Sequence, residues 1–167
     1  ADMAERSIEL NDLTQQMQVI QDDLKNLGRY ITGSKVDMIL CNPPYFKVDK
    51  QSNLNESQHY LLARHEISTN LEEICKIAQR VLKSNGRLAM VHRPERFLDI
   101  LDTMQAHNLA PKRIQFVYPK LGKEANMLLI EAIKDGSRDG LKILPPLFIH
   151  NQDGSYTPEI HEIYYGK

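Results

Sequence analysis

The sequence predicts an α/β fold with a mostly parallel sheet, on three observations. Val36 to Cys41 is an apolar run with one Asp, bounded by Gly33-Ser34 and by Asn42-Pro43-Pro44. Strands buried in parallel sheets have this look. Apolar runs of this kind alternate with helical spacing along the chain, as in α/β proteins. Segments 112–119 and 125–133 lie close in sequence, so they pair antiparallel at one edge.

The elements follow in order. Ala1, Ala4 and Ile8 recur at helical spacing and give a helix over residues 1–12. Met17 to Gln21 reads as a short strand ending at Asp22-Asp23. Residues 24–34, broken by Gly28 and Gly33, form a connection with room for a helical turn. Residues 36–41 are the buried strand. Residues 45–67 are polar and poorly periodic, a long loop of the kind that is usually functional or mobile.

Thr69 and Glu72 make a capping box. Leu71, Ile74, Ala78, Val81 and Leu82 then mark one helix face, and Ser84-Asn85-Gly86 ends it. Residues 87–92 are the next strand. Pro94 suits the first turn of another helix, with Phe97, Leu98, Leu101 and Met104 facing the core. Pro111 lies beyond its end. Leu147–His150 and Tyr156–Ile160 form a final hairpin around Asn151-Gln152-Asp153-Gly154.

A length of 167 residues suits a single domain over 1–167, with 41% apolar and 26% charged residues. The net charge of -1 excludes general attraction to nucleic acid, so any such surface is a local patch. Cys41 and Cys75 form no CxxC pair, which fits a reducing, cytoplasmic setting. No apolar run reaches membrane-spanning length, and Ala1-Asp2-Met3-Ala4 does not open a signal peptide. The absence of an initial Met, with a helical pattern from the start, reads as a processed or partial chain.

Asn42-Pro43-Pro44-Tyr45 carries the chemistry. Ligands of α/β sheets bind outside the carboxyl ends of strands, where this motif sits. Two prolines fix the backbone and remove two N–H donors, leaving carbonyl acceptors. Asn42 adds a side-chain carbonyl and Tyr45 an aromatic face. That inventory suits a planar aromatic amine, whose lone pair is delocalised and weakly nucleophilic. Acceptors on both amine hydrogens, from Asn42 and the Pro43 carbonyl, draw the nitrogen toward tetrahedral geometry. Tyr45 stacking on the base is worth roughly 1–3 kcal/mol. Catalysis then rests on positioning and electrostatics, with no metal or covalent nucleophile. The bland alternative is a proline turn after a strand.

The tetrapeptide resembles the catalytic motif of class I amino-methyltransferases. In order along the chain, Cys41 to Phe46, Arg64-His65-Glu66, His92 to Arg96, Lys112 to Val117 and Glu162 to Gly166 together resemble the bacterial tRNA1(Val) adenine-37 N6-methyltransferase family. The resemblance runs over nearly the whole chain. It implies a Rossmann-like fold, S-adenosyl-L-methionine as cofactor and tRNA as partner. It assigns Asn42, Pro43, Pro44 and Tyr45 to catalysis.

The family holds its cofactor with a Gly-rich turn, yet no GxG occurs here. The fold is therefore expected to be N-terminally incomplete and the chain weak in cofactor binding by itself. The resemblance gives Asp23 the cofactor adenine amine, gives Leu24 a backbone or packing contact and places Asn42 nearby. The alternative is that Asp22 and Asp23 only cap the following turn.

Between residues 87 and 123 basic residues outnumber acidic ones seven to three. Arg93, Arg96, Lys120 and Lys123 are candidate phosphate contacts, which position RNA without reading its sequence. Arg87 and Lys112 read as solvated charges. Phe46, Arg64 and His65 are further substrate candidates, with Arg64-His65-Glu66 either closing over the base or holding the loop through a local salt bridge. His92 reads as a satisfied core polar group, Cys41 as a small buried hydrophobe, and Tyr164 and Tyr165 as packing or hairpin residues rather than base stackers. Rival readings are a DNA adenine methylase, a protein glutamine methyltransferase using the same tetrapeptide, and a non-catalytic RNA-binding module.

Overall fold

The computed structural model describes residues 1–43 and 71–166. Helix α1 (Asp2–Leu10) opens the chain, followed by a 3-10 turn over Leu24–Arg29. Then come β1 (Val36–Cys41), α2 (Leu71–Val81), β2 (Leu82–His92) and α3 (Phe97–Ala106). Strands β3 (Leu109–Lys120), β4 (Met127–Lys134), β5 (Lys142–Ile143) and β6 (Leu147–His150) precede the last helix, α4 (Pro158–Tyr165).

The strands form one sheet in the order β1-β2-β4-β3-β5, with β6 also pairing β3. β1 runs parallel to β2, and β5 and β6 run parallel to β3. Only β4, among the described strands, runs against the rest. The expected antiparallel pair is therefore present, but β4 lies inside the sheet rather than at its edge. It slots between β2 and β3 because the short 121–126 turn returns the chain immediately beside β3.

Helices α2 and α3 cover one face of the sheet. α2 presents Ile74, Cys75, Ala78 and Val81 to the core, at helical spacing. α3 buries Ile100 and Met104, while Leu98 is 71% exposed. Ile100 thus takes the core position expected of Leu98. Residues 97, 100, 101 and 104 share one side of a 3.6-residue turn, and residue 98 falls a quarter-turn away. Phe97 meets Phe116 edge to face, with ring centroids 5.6 Å apart. Leu88, Leu109, Ile114 and Leu128 complete the interior at 0% exposure.

The other face is largely open. Ile39 and Cys41 of β1 pack toward the core, but Met38 and Leu40 are 48% and 77% exposed. β1 is thus covered on one face only, not buried on both. α4 covers the far end of the open face, where Ile160 packs on Val117 and Leu147.

Three further expectations differ from the structure. Met17–Gln21 is not a strand. A strand needs a neighbour for its backbone hydrogen bonds, and no described segment lies beside it. The α2 helix stops at Val81, before the expected 84–86 boundary, because the β1–β2 ladder begins directly at Leu82. The ladder skips from Val36↔Leu82 to Met38↔Arg87, and Asn85 takes φ +64° in the resulting bulge. Gly86 is required there, since a Cβ would lie 2.9 Å from the Lys83 carbonyl oxygen.

The final hairpin shrinks to a single antiparallel bridge, His150↔Tyr156. Thr157 then caps α4 through the Ile160 N–H, with Pro158 in the first turn. These cap signals outweigh the short alternation read as a strand. Pro111 lies beyond the end of α3, as expected, and falls inside β3 at a ladder irregularity where a missing N–H is tolerated.

Burial separates two neighbouring expectations. Leu88→Ala removes a fully buried side chain and should destabilise the fold by about 2–5 kcal/mol. Leu98→Ala should change stability by less than about 0.5 kcal/mol. Urea unfolding of the two variants checks both values.

Candidate functional site

The carboxyl ends of β1, β2, β3 and β6 meet at one edge of the sheet, because these strands run the same way. Cys41, His92, Lys120 and His150 end those strands, and β4 starts at the same edge with Met127. Asn42 follows directly and is exposed, while Pro43 is buried. Pro43 has no N–H, so the ladder cannot extend past it. Pro44, Tyr45, Phe46, Arg64 and His65 lie outside the described residues.

Asn42 borders an open groove of about 440 Å³ on the uncovered face. Leu40, Ala89, Val91 and Leu129 give it an apolar floor, and Arg113 and Glu131 add charge. Cys41 sits at its margin with burial raising its thiol pKa, and Cys75 behind it is pushed up to about 12, mainly by burial. Both are thiols rather than thiolates at neutral pH, as the small-hydrophobe reading expects.

His92 is 6% exposed, and its Nδ1 accepts the Arg93 backbone N–H at 2.8 Å. Burial, then the nearby Arg96 charge, lowers its pKa. A neutral ring with its proton on Nε2 satisfies both conditions. His92 is thus a structural group that closes the end of β2.

The basic candidates divide by their bonding. Arg93 donates from Nη1 to the Asn126 carbonyl at 3.2 Å, tying the end of β2 to the start of β4. Arg96 pairs with Asp99 at 2.6 Å. Lys120 ends β3, and Lys123 follows in a turn closed by the Lys123 N–H to the Lys120 carbonyl at 3.2 Å. Gly122 supplies the φ of +82° that this turn requires. Neither lysine has a carboxylate partner among the described residues. Arg87 and Lys112 are not merely solvated. Arg87 pairs with Glu131 at 2.8 Å, and Lys112 donates to the Ser137 carbonyl at 2.6 Å.

Asp23 and Leu24 stand apart from that edge group, on the 3-10 turn that Lys25 ties to Glu73 of α2 at 3.3 Å. Asp23 caps the turn through the Lys25 N–H at 2.9 Å. Asp22 is used more fully, accepting from the Asp23 N–H, Asn26 and Tyr30. The Asn26 and Tyr30 bonds hold its carboxyl below the usual range. Asp23 is exposed, and only one of its oxygens is engaged by the described residues.

One feature escaped the sequence reading. Tyr164 and Tyr165 are not packing residues but are 60% and 68% exposed. The signal was Thr157-Pro158, which starts a helix and sets Ile160 and Tyr164 on one side.

Comparison with known proteins supplies relatives. No family model matches the chain. It is similar to a tRNA1(Val) (adenine(37)-N6)-methyltransferase of Porphyromonas gingivalis, 30% identical over 135 residues, covering 80% of this chain and 52% of that protein. A protein of the same name from Aliivibrio salmonicida is 27% identical over 124 residues, covering 71% and 48%. The chain thus spans about half the length of the curated relatives it matches. A crystal structure described as a predicted O-methyltransferase from Agrobacterium tumefaciens superposes with a TM-score of 0.74 at 22% identity, covering 99% of this chain and 72% of that one. The fold is accordingly the Rossmann-like methyltransferase fold. Among the described residues, no helix is long and apolar enough to cross a membrane.

The depressed pKa of His92 has a sign that can be checked. Above pH about 6.5 the ring is neutral in folded and unfolded chains alike. As pH falls below that value, the unfolded chain takes up the proton first, so stability is lost. His92→Gln should flatten the fall in urea midpoint between pH about 7.5 and about 5.5. An equal fall in both proteins would show that His92 is not its source.

Proposed function

We propose that the chain, which is similar to curated tRNA1(Val) (adenine(37)-N6)-methyltransferases over 80% of its own length, carries the amine-positioning part of an S-adenosyl-L-methionine-dependent methyltransferase acting on an anticodon-loop adenine of tRNA, position 37 of tRNA1(Val). The supporting observation is an exposed Asn42 and a buried Pro43 at the end of β1, beside an open groove.

The chemistry follows from the acceptors. The Asn42 side-chain carbonyl takes one hydrogen of the exocyclic amine, and the Pro43 carbonyl takes the other. The nitrogen lone pair is thereby released from the ring and directed at the incoming methyl carbon. Pro44 holds this backbone rigid and Tyr45 stacks on the base. The cofactor, when bound, would supply a methyl group activated by its sulfonium: the S–C bond would break as the N–C bond forms, the sulfur would leave as a neutral thioether, and the methylated nitrogen would lose one proton to solvent. Asp23 and Leu24 hold its adenine end, and Asn42 lies between cofactor and base.

An unpaired loop base is cheap to extrude, which favours a tRNA loop over a duplex. Arg93, Arg96, Lys120 and Lys123 steady the RNA backbone along the sheet edge, with Phe46, Arg64 and His65 completing the base side. A tRNA substrate sets this work in the cytoplasm.

The test uses the full-length protein, unmodified tRNA and labelled cofactor. Nucleoside mapping should find N6-methyladenosine in the anticodon loop. Asn42→Ala should lower kcat by about 10²–10³-fold, as when one preorganised hydrogen-bonding group is removed from a reacting centre. Undiminished transfer by that variant, or a different methylated product, would overturn the mechanism. Lys123→Ala should weaken tRNA binding uniformly and reduce the salt dependence by about one counterion. Titrations at several salt concentrations read that slope.

A further inference from the structure

An aromatic row stands at the far end of the same sheet edge. Lys120 of β3 lies in register with His150 of β6, and His150 bridges Tyr156. Partners in register across neighbouring strands point to the same face, so these three side chains form one row. The His150 and Tyr156 rings stack with centroids 5.2 Å apart and planes 13° from parallel. Tyr164 of α4 meets Tyr156 edge-on at 5.5 Å, and Tyr165 follows at 6.2 Å from Tyr164. One register step back on the same face, Tyr118 and Phe148 are in ring contact at 5.4 Å.

These rings are only partly covered. Tyr156 is 42% exposed, and Tyr164 and Tyr165 are exposed further still. The position of the row is as informative as its composition. β1 and β6 are separated by four strand-to-strand steps, or about 19 Å along the edge. Tyr118 and Lys120 share the face of Ile114 and Phe116, opposite the face of the Asn42 groove, so a few nucleotides of unpaired strand reach the row from Asn42 by passing over the strand ends, where Lys123 sits.

We propose that the row formed by Lys120, His150 and Tyr156, extended by Tyr164 and Tyr165, is a stacking surface for unpaired nucleobases that flank the target base. Aromatic side chains on a sheet surface take successive bases by stacking, with little sequence preference, because every base has a π-face. Local charge supports stacking over phosphate attraction as the main source of affinity. The segment that carries Tyr156, Tyr164 and Tyr165 holds Asp153, Glu159 and Glu162 and no Lys or Arg from 151 to 166. The surface therefore favours single strands over duplexes, whose bases are already stacked.

This inference rests on RNA being the substrate class proposed above, and its test is separable from that reading. The probe is an unstructured oligoribonucleotide lacking adenine, which the methylation site cannot use, against a duplex of matched length. The full-length protein should bind the single strand more tightly than the duplex. The double variant Tyr156→Leu/Tyr164→Ala should weaken single-strand binding about tenfold or more, whereas Tyr156→Phe/Tyr164→Phe should stay within about twofold. Tyr165→Ala, at a more exposed ring, gives a second reading should the double variant lower the urea midpoint.

Unchanged affinity in the alanine and leucine variants, or equal affinity for strand and duplex, overturns the proposal. So does a concentration-dependent mass increase that those variants abolish without any oligonucleotide binding, since the rings would then cover another protein. Normal binding by the variants, with Asn42→Ala still inactive, removes this surface and leaves the methyltransferase reading intact. Weakened binding without any N6-methyladenosine product does the reverse.

Discussion

Parallel pairing of β1 on β2 is the constraint on which the site depends. The ladder Ile39↔Leu88, Leu40↔Ala89 and Cys41↔Met90 sets where β1 ends, and Pro43 ends it chemically by lacking a donor. A one-residue slip in that register would turn Ile39 and Cys41 away from the core and Leu40 into it. Asn42 would then face a different side of the sheet. The bulge at 83–86, with Gly86 against the Lys83 carbonyl, absorbs the mismatch between the end of α2 and the start of this ladder. Lys134 braces the same corner, donating to the Leu82 carbonyl at 2.7 Å from a buried position.

Strand direction then distributes the chemistry. Four strands that end at one edge bring Asn42, Arg93, Lys120 and His150 into a single line, although they are far apart in sequence. The reversed β4 contributes the turn that carries Lys123. Electrostatics at this edge are uneven. His92 is kept neutral by burial, Arg96 is paired with Asp99, and the two lysines have no acidic partner among the described residues.

The open face has a different character. Met38, Leu40 and Leu129 leave apolar surface beside Asn42, and α1 buries none of its residues. Among the described helices, only α4 covers this face, and only at its far end. The chain also spans about half the length of its curated relatives.

The sequence by itself determined the elements whose signal is local. β1 is bounded by Gly33-Ser34 and Asn42-Pro43, α2 shows apolar residues at helical spacing, and β3 and β4 are joined by a short turn. Asn42 at a strand end was legible for the same reason, since proline stops a ladder wherever it occurs. Tertiary structure alone decided the rest. The insertion of β4 between β2 and β3, the exposure of Leu40 and the core position of Ile100 depend on which surface another element happens to cover. The aromatic row depends on parallel pairing of β6 with β3 across a gap in sequence. Periodicity reports which side of an element is apolar, but only packing decides what that side meets.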